Sequence, residues 1–192
     1  MTSLLMIRHS ETEWNARKKL QGRSDIALSE HGRDMVRCWS VPGEFDGFHW
    51  VSSPLVRATE TANLLGFEPD LEPALIEMSW GRWEGENWND LQARLGPDVM
   101  AAHQAKGLDF RPDGGESPGD VQDRLRPWLE GLKRPTIAVC HKGVLQAVYA
   151  LASGWQMTEK APIKFRHGFA CLFQVTDGSP IIDRLDIPLE RS

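Results

Sequence analysis

Four consecutive apolar residues, Leu4 to Ile7, end abruptly at a polar cluster that begins with Arg8 and His9. A short apolar run bounded in this way predicts a buried strand with a loop at its carboxyl end. In open α/β sheets, ligands bind at that end of the strands. Arg8 and His9 are therefore candidates for binding an anion, although from this stretch alone they could equally be solvated loop residues.

A second run of the same kind, Thr136 to Cys140, ends at His141. Further strand patterns lie at residues 50–52, 71–76, 170–175 and 181–187. Helical patterns begin near Ser29, Ser53, Asn89, Val99, Ser117 or Asp120, and Val144. The alternation predicts an α/β fold, a three-layer α/β/α sandwich with a mostly parallel central sheet. We expect one domain over residues 1–192 with a small lid region at about 78–118, and we expect Pro127 to shorten or bend its helix.

The bulk properties argue against two classes of partner. The net charge of −5 gives no support to a nucleic-acid partner or an anionic membrane surface. No apolar run approaches the roughly 18 residues of a membrane helix, and the first residues lack the pattern of a signal peptide. Three widely spaced cysteines, Cys38, Cys140 and Cys171, favour reduced thiols. We therefore expect a cytoplasmic protein.

Several side chains suited to phosphate chemistry should meet at one crevice. If the two long runs are parallel neighbours, His9 and His141 face each other, and Arg57 and Glu77 follow strand patterns that reach the same edge. Arginine binds two phosphate oxygens at once, an imidazole can take a phosphoryl group covalently, and a carboxyl group can protonate the leaving oxygen. Such a set suits phosphoryl transfer without a metal ion.

A metal site on His9, His141 and Glu77 is the alternative, because these are ligand types. The neighbouring Arg8 would repel a cation, and a two-metal phosphatase site would need more carboxylates. We therefore predict no metal. The remaining histidines that we considered, His31, His49 and His103, are expected at the surface. The side chains of Trp80, Trp83 and Trp88 either line the pocket or pack in the core.

Four segments, taken in order, resemble the motifs of one known family. They are residues 8–15 (RHSETEWN), 52–62 (SSPLVRATETA), 75–85 (LIEMSWGRWEG) and 139–143 (VCHKG). The family is the histidine phosphatase superfamily, also called the phosphoglycerate mutase-like family. The resemblance implies a phosphoglycerate mutase-like sandwich and a phosphomonoesterase that hydrolyses a small phosphorylated metabolite without metal or cofactor.

The resemblance also implies a role for each matching residue. His9 would be the phosphorylated nucleophile, and Glu77 would be the general acid and later the base that activates water. Arg8, Arg57 and His141 would surround the phosphoryl group.

Five further residues are expected to contact the substrate: Asn15, Ser10, Gln21, Gly22 and Lys142. Ser10 and Lys142 stand where the family has glycine, which permits close approach and unusual dihedral angles. The Ser10 hydroxyl could be accommodated or could touch the phosphate. Lys142 would add a cation at the mouth of the crevice and favour an acidic substrate, or it would point into solvent.

Two other functions stay open at this point. One is a cofactor-dependent phosphoglycerate mutase, which the shorter chain makes less favoured, because the mutases carry a larger insertion over the site. The other is a non-catalytic module that binds a phosphorylated ligand. The terminal stretch Ile181–Leu189 is a candidate for pairing two copies of the chain into a homodimer.

Overall fold

The structure is a computed structural model, and it describes residues 1–189 of the 192. The last three residues of the predicted domain lie outside the described residues. Six strands form one sheet: β1 (Thr2–Arg8), β2 (His49–Ser52), β3 (Asp70–Leu71), β4 (Thr136–Cys140), β5 (Phe169–Thr176) and β6 (Ser179–Pro188). Seven α-helices accompany them: α1 (Glu13–Ala16), α2 (Glu30–Arg37), α3 (Val56–Leu64), α4 (Trp88–Leu95), α5 (Pro97–Ala105), α6 (Pro118–Gly131) and α7 (Lys142–Ser153).

The sheet has the strand order β3-β2-β4-β1-β5-β6. The pairs β3–β2, β2–β4 and β4–β1 are parallel, whereas β1–β5 and β5–β6 are antiparallel. The predicted α/β fold with a mostly parallel sheet is confirmed. The two central strands β1 and β4 are buried on both faces, which is why they read as continuous apolar runs and not as alternating ones.

Helices cover both faces of this sheet, so the three predicted layers are confirmed. Successive residues of β1 alternate between the faces. Leu4 and Met6 pack with α6 and α7 in one core, and Leu5 and Ile7 pack with α2 and α3 in the other.

Three local predictions differ from the structure. The predicted cap at Ser53 is wrong, because α3 begins at Val56 and the Ser53 hydroxyl bonds to His141 instead. The strand predicted over 71–76 shrinks to β3, since the segment beginning at Pro73 turns into a short 3₁₀ helix. Pro127 lies inside α6 on an exposed turn and the helix continues to Gly131, so the predicted shortening is wrong, while the alternative of a bend stays a prediction.

The register of the central pair sets the geometry at the carboxyl edge. Arg8 of β1 is paired with Cys140 of β4, so the next residues, His9 and His141, leave the sheet side by side. The His9 backbone N–H donates to the Cys140 carbonyl at 2.9 Å, which extends the ladder by one bond. The two histidines are therefore fixed by strand pairing and not by loop conformation.

Candidate active site

A hydrogen bond at one of its two ring nitrogens orients the His9 side chain, and the other nitrogen takes no part in that bond. The side chain is 3% exposed, and its Nδ1 lies 2.6 Å from the Ser10 carbonyl oxygen. A carbonyl can only accept, so Nδ1 carries the proton and donates. The lone pair is then on Nε2, which is the form that a nucleophilic imidazole requires.

His141 lies against His9, with the two ring centroids 5.1 Å apart. Its Nδ1 accepts from Arg57 Nε at 3.3 Å, and its Nε2 is 2.6 Å from Ser53 Oγ. Because Nδ1 accepts, the proton of the neutral ring is on Nε2 and is donated to Ser53. No local pattern indicates this role for Ser53, because its position before a proline favours a helix cap.

Arg57 is 1% exposed, and two backbone carbonyl groups hold its guanidinium. Its Nη1 donates to the Ser24 carbonyl at 2.9 Å, and its Nη2 donates to the Gly22 carbonyl at 2.7 Å. The same loop is held by Glu84, which accepts from the backbone N–H groups of Arg23 and Ser24. The orientation of Arg57 therefore depends on the loop 22–24.

Arg8 uses only some of its guanidinium N–H groups in hydrogen bonds within the described residues. Its Nη1 donates to the Phe165 carbonyl at 3.0 Å, while its Nε is buried without a partner among the residues that the structure describes. Burial lowers the pKa of Arg8 to about 10, so the guanidinium remains charged at neutral pH. A buried cation with an unpaired N–H is well suited to a phosphate oxygen.

Two backbone N–H groups hold the Glu77 carboxylate in place. Its Oε1 accepts from the Met78 N–H at 2.8 Å, and its Oε2 accepts from the Gly143 N–H at 3.1 Å. The carboxylate thus sits against the start of α7, where a side chain on residue 143 would collide with it. It lies close enough to Arg8 and Arg57 to oppose the lowering of their pKa values by burial.

Both facing imidazoles are kept neutral. Burial, and then the positive charge of Arg57, lowers the pKa of His9 well below its ordinary value of 6.5. The same two causes, in the same order, lower the pKa of His141. A neutral His9 retains the lone pair needed for attack.

A third imidazole, His167, was missed by the sequence analysis. Its Nδ1 donates to the His9 carbonyl at 2.7 Å, and its ring centroid lies 6.0 Å from that of His9. Burial and then the charge of Arg8 lower its pKa to about 4. His167 precedes β5, and because β5 runs antiparallel to β1, its first residues lie beside the last residues of β1. That pairing is the signal that could have found it.

Arg8, His9, Arg57 and Glu77 line a cleft of about 820 Å³, while His141 and His167 lie behind that lining. The predicted lid region supplies much of the lining, including Trp80, Trp88 and Phe110, and the segment 155–161 supplies another part. Trp83 is buried behind this wall, stacked on Trp80 at 6.3 Å between centroids. His103, expected at the surface, is half-buried and lines the cleft. That residues 78–118 close over the cleft stays a prediction.

The five predicted substrate contacts fall into two groups. Asn15, Gln21 and Lys142 line the cleft. The Ser10 hydroxyl instead donates to the Gly32 carbonyl at 2.9 Å, away from the cleft, and Ser10 does not adopt a positive φ. Gly22 has a φ of +54° and presents its carbonyl to Arg57. Neither residue is therefore brought to the cleft surface, and the substrate contact predicted for the Ser10 hydroxyl has no geometric support.

Lys142, at the start of α7, lies near both Arg8 and Glu77. Its pKa is lowered by burial and then by the charge of Arg8. Lys142 lines the cleft and is also exposed to solvent, so its role as a cation for the substrate stays a prediction.

Within residues 1–189, no helix is long and apolar enough to cross a bilayer. In the same range, no group of three or more His, Cys, Asp or Glu side chains is arranged to hold a metal ion.

Comparison with known proteins gives consistent matches. The family model of the histidine phosphatase superfamily (branch 1) matches residues 4–188. A glucosyl-3-phosphoglycerate phosphatase of Mycolicibacterium vanbaalenii is 32% identical over 79% of this chain and 74% of its own length. A 2,3-bisphosphoglycerate-dependent phosphoglycerate mutase of Methylobacterium radiotolerans is 26% identical over 94% of this chain and 93% of its own. The solved structure of a mycobacterial glucosyl-3-phosphoglycerate phosphatase in complex with VO3 superposes with a TM-score of 0.81, at 27% identity over all of both chains.

Proposed function

Because the chain belongs to branch 1 of the histidine phosphatase superfamily, we propose that His9 is the residue that takes the phosphoryl group. The chain is a metal-independent phosphatase of small phosphate esters, and it works through a phosphohistidine intermediate. The roles of individual residues, the substrate and the partners are parts of the proposal.

The observation that carries the assignment to His9 is its tautomer. With Nδ1 donating to the Ser10 carbonyl, Nε2 has the lone pair, and the lowered pKa keeps it unprotonated. In the first step the Nε2–P bond forms as the bond from phosphorus to the ester oxygen breaks. Arg8 and Arg57 would neutralise the charge on the equatorial oxygens, and His141 would complete their ring.

Glu77 is proposed as the acid of the first step and the base of the second. As acid it gives its proton to the leaving oxygen, so that a neutral alcohol departs. As base it then takes a proton from water while the water oxygen attacks phosphorus and the Nε2–P bond breaks. Inorganic phosphate is released and His9 is restored. The two N–H bonds from Met78 and Gly143 support this role because they fix the carboxylate.

A trapping experiment tests these roles. Wild type is expected to hydrolyse p-nitrophenyl phosphate in EDTA, and His9→Ala is expected to lose turnover and phosphoenzyme. Glu77→Gln should form phosphoenzyme with this activated ester and then accumulate it, detectable by mass spectrometry at alkaline pH. Full turnover by His9→Ala would overturn the assignment, and loss of wild-type turnover in EDTA would point to a metal mechanism.

The second candidate activity is mutase action, favoured by one observation, the match to a phosphoglycerate mutase along 93% of that relative's length. Chain length therefore does not separate the two activities as the sequence analysis expected. The names of the relatives make glucosyl-3-phosphoglycerate and phosphoglycerate the first candidate substrates for this chain. Release of inorganic phosphate, measured against isomerisation of 3-phosphoglycerate, distinguishes phosphatase from mutase.

A homodimer and the absence of a nucleic-acid partner are further parts of the proposal. The strand β6 lies at an edge of the sheet, and Ile181 on it is 60% exposed, which supports pairing through the Ile181–Leu189 stretch. The net charge of −5 argues against binding to nucleic acid. Light scattering of wild type and Ile181→Arg tests the dimer, and a salt-dependent binding assay with DNA and RNA tests the other.

A cytoplasmic location is also proposed. It is supported by the free thiols of Cys38, Cys140 and Cys171, because thiols persist in reducing compartments. Cell fractionation tests it.

A further inference from the structure

The cleft extends well beyond the groups assigned to the phosphoryl transfer. Its volume of about 820 Å³ lies in the upper part of the ~300–1,000 Å³ range of small-molecule sites. Arg8, His9, Arg57 and Glu77 form only a small part of the lining, and much of the rest comes from α4, α5, α7 and the segment 155–161. The alcohol half of the ester would occupy this larger part.

Carboxamides are unusually frequent on this lining. Six line the cleft: Asn15, Gln21, Asn89, Gln92, Gln104 and Gln146. Two are already used, since Asn15 Oδ1 accepts from Thr12 and Gln104 Nε2 donates to the Met157 carbonyl. Within residues 1–189 the side chains of the other four make no hydrogen bond to the protein. Each carboxamide offers both donors and an acceptor, and a hydroxyl group is the ligand group that does the same.

Aromatic rings share the lining with these carboxamides. Trp80 and Trp88 meet edge to face with centroids 6.3 Å apart, and Phe110 lies 6.3 Å from Trp80. The electron-rich faces of such rings attract the slightly positive C–H groups of a saturated ring. Aromatic rings and carboxamides in one cleft together match a molecule with apolar C–H faces and a rim of hydroxyls.

We propose that this part of the cleft is a subsite for a hydroxyl-rich, sugar-like leaving group. The inference rests on the proposed function, because it names the alcohol half of the ester that would be cleaved at His9. The geometry also distinguishes between the two kinds of candidate substrate, since a three-carbon acid has too few hydroxyls to pair with the free carboxamides. A sugar ring has enough for several of them.

Binding to a non-hydrolysing variant tests the subsite without relying on turnover. In His9→Ala protein, calorimetry would give the Kd of three primary phosphate esters: glucose 6-phosphate, n-hexyl phosphate and benzyl phosphate. We expect glucose 6-phosphate to bind at least about tenfold more tightly than either of the others, which corresponds to one or two net hydrogen bonds. Equal or tighter binding of n-hexyl phosphate, or of benzyl phosphate as an aromatic occupant, would overturn the proposal.

A matched pair of second-site variants identifies the carboxamide contribution. Gln146→Leu, made in the same background, removes a lining amide at similar volume and should weaken glucose 6-phosphate about five- to tenfold while leaving n-hexyl phosphate unchanged. Asn63→Leu, at an exposed amide on α3 outside the lining, should change neither. If Gln146→Leu weakens both esters alike, or neither, the proposal is wrong. Should Gln146→Leu fail to fold, Gln92→Leu on the exposed side of α4 replaces it.

The two proposals fail separately. Wild type that binds glucose 6-phosphate selectively but does not hydrolyse p-nitrophenyl phosphate would remove the proposed residue roles and leave the subsite standing. Wild type that hydrolyses p-nitrophenyl phosphate but shows no preference among the three esters would do the reverse.

Discussion

The backbone N–H of Gly143 donates to Glu77 Oε2 at 3.1 Å, and a Cβ on residue 143 would lie only 2.4 Å from Glu77 Oε1. The absence of a side chain at position 143 is thus a condition for the carboxylate to sit where it does. Gly143 has no positive φ, so this glycine is required by close approach and not by backbone conformation.

Replacing Gly143 with alanine should therefore damage catalysis more than folding. The methyl group would push the Glu77 carboxylate out of place, and we expect kcat to fall about 10- to 100-fold, part of what a positioned general acid contributes. Alanine favours a helix over glycine by up to about 1 kcal/mol, which offsets part of the ~1–3 kcal/mol cost of disturbing the Glu77 hydrogen bonds, so the free energy of unfolding should fall only slightly. Steady-state kinetics and chemical denaturation measure the two effects.

The control for this change is Gly131→Ala at the end of α6, where an added Cβ meets nothing within 4 Å. It should leave kcat unaltered. Full activity in Gly143→Ala would show that the position of Glu77 does not matter.

Glu84 is predicted to act on the site through Arg57. Its two oxygens accept from the N–H groups of Arg23 and Ser24 at 2.9 and 2.8 Å, and the carbonyls of this loop hold Arg57. Glu84→Gln would turn one acceptor into a donor that faces N–H groups. We expect kcat/KM to fall about tenfold or more and affinity for vanadate to fall with it, at a stability loss of about 1–3 kcal/mol.

Glu86→Gln is the matched control, because Glu86 pairs with the exposed Arg94 outside this loop. Its kinetics should equal those of wild type. A loss of stability in Glu84→Gln with unchanged vanadate affinity would reduce Glu84 to a purely structural residue.

The sequence is sufficient for the parts of the site that follow from strand pairing. β1 and β4 are buried on both faces, so they are recognisable in the sequence as apolar runs. Their parallel pairing then places His9 beside His141. The parts that escaped depend on long-range contacts. The residues next to Ser53 predict a helix cap, but its hydroxyl is hydrogen-bonded to His141, which is 88 residues away in the sequence.

His167 escaped for a different reason. No local pattern marks it, and its approach to His9 follows only from the antiparallel docking of β5 on β1. The apolar pattern of β5 predicts a strand but not the direction in which it runs. The carboxamide lining is likewise spread over four helices and one loop, so no single stretch of sequence indicates it.

The His9 ring is predicted to remain neutral below pH 6.5. Burial, and then Arg57 and Arg8, lower its pKa, so its charge is gained only as the pH falls through the lowered value. Activity that depends on the neutral ring should therefore persist through pH 6.5 and decline at lower pH. ¹⁵N NMR of the ring nitrogens follows this directly and is independent of the titration of the substrate. A protonated His9 ring at pH 6.5 would contradict the assignment.

His167 should make the stability of the fold sensitive to acid. Its pKa is about 4 in the fold against 6.5 for the ordinary residue, so between these values the unfolded chain binds more protons. The free energy of unfolding then rises with pH across this window, and up to roughly 3 kcal/mol is lost on acidification below pH 4. His167→Asn keeps an N–H donor for the His9 carbonyl and should reduce this dependence by the share of His167, since the lowered pKa values of His9 and His141 act in the same direction.

The measurement is urea denaturation at pH values from 4 to 7, with His31→Asn as the exposed control. At pH 7, His167→Asn and wild type should differ little, because the imidazole is neutral in both states there. A pH dependence of His167→Asn identical to that of wild type would show that other groups carry the effect.

Lys142 is predicted to select for a negative charge on the leaving group. It lines the mouth of the cleft near Arg8, and part of its side chain is exposed, so its attraction for an anion should be modest and weakened by salt. In Lys142→Gly, kcat/KM for 3-phosphoglycerate should fall about three- to tenfold. The value for glycerol 3-phosphate, whose leaving group is uncharged, should stay constant. Lys106→Gly, at an exposed lysine outside the cleft lining, should change neither value. Glycine at 142 also loosens the first turn of α7, beside Gly143 and Glu77. An equal loss of kcat/KM for both esters would therefore indicate displacement of Glu77. Only a change in the ratio of the two kcat/KM values supports charge selection.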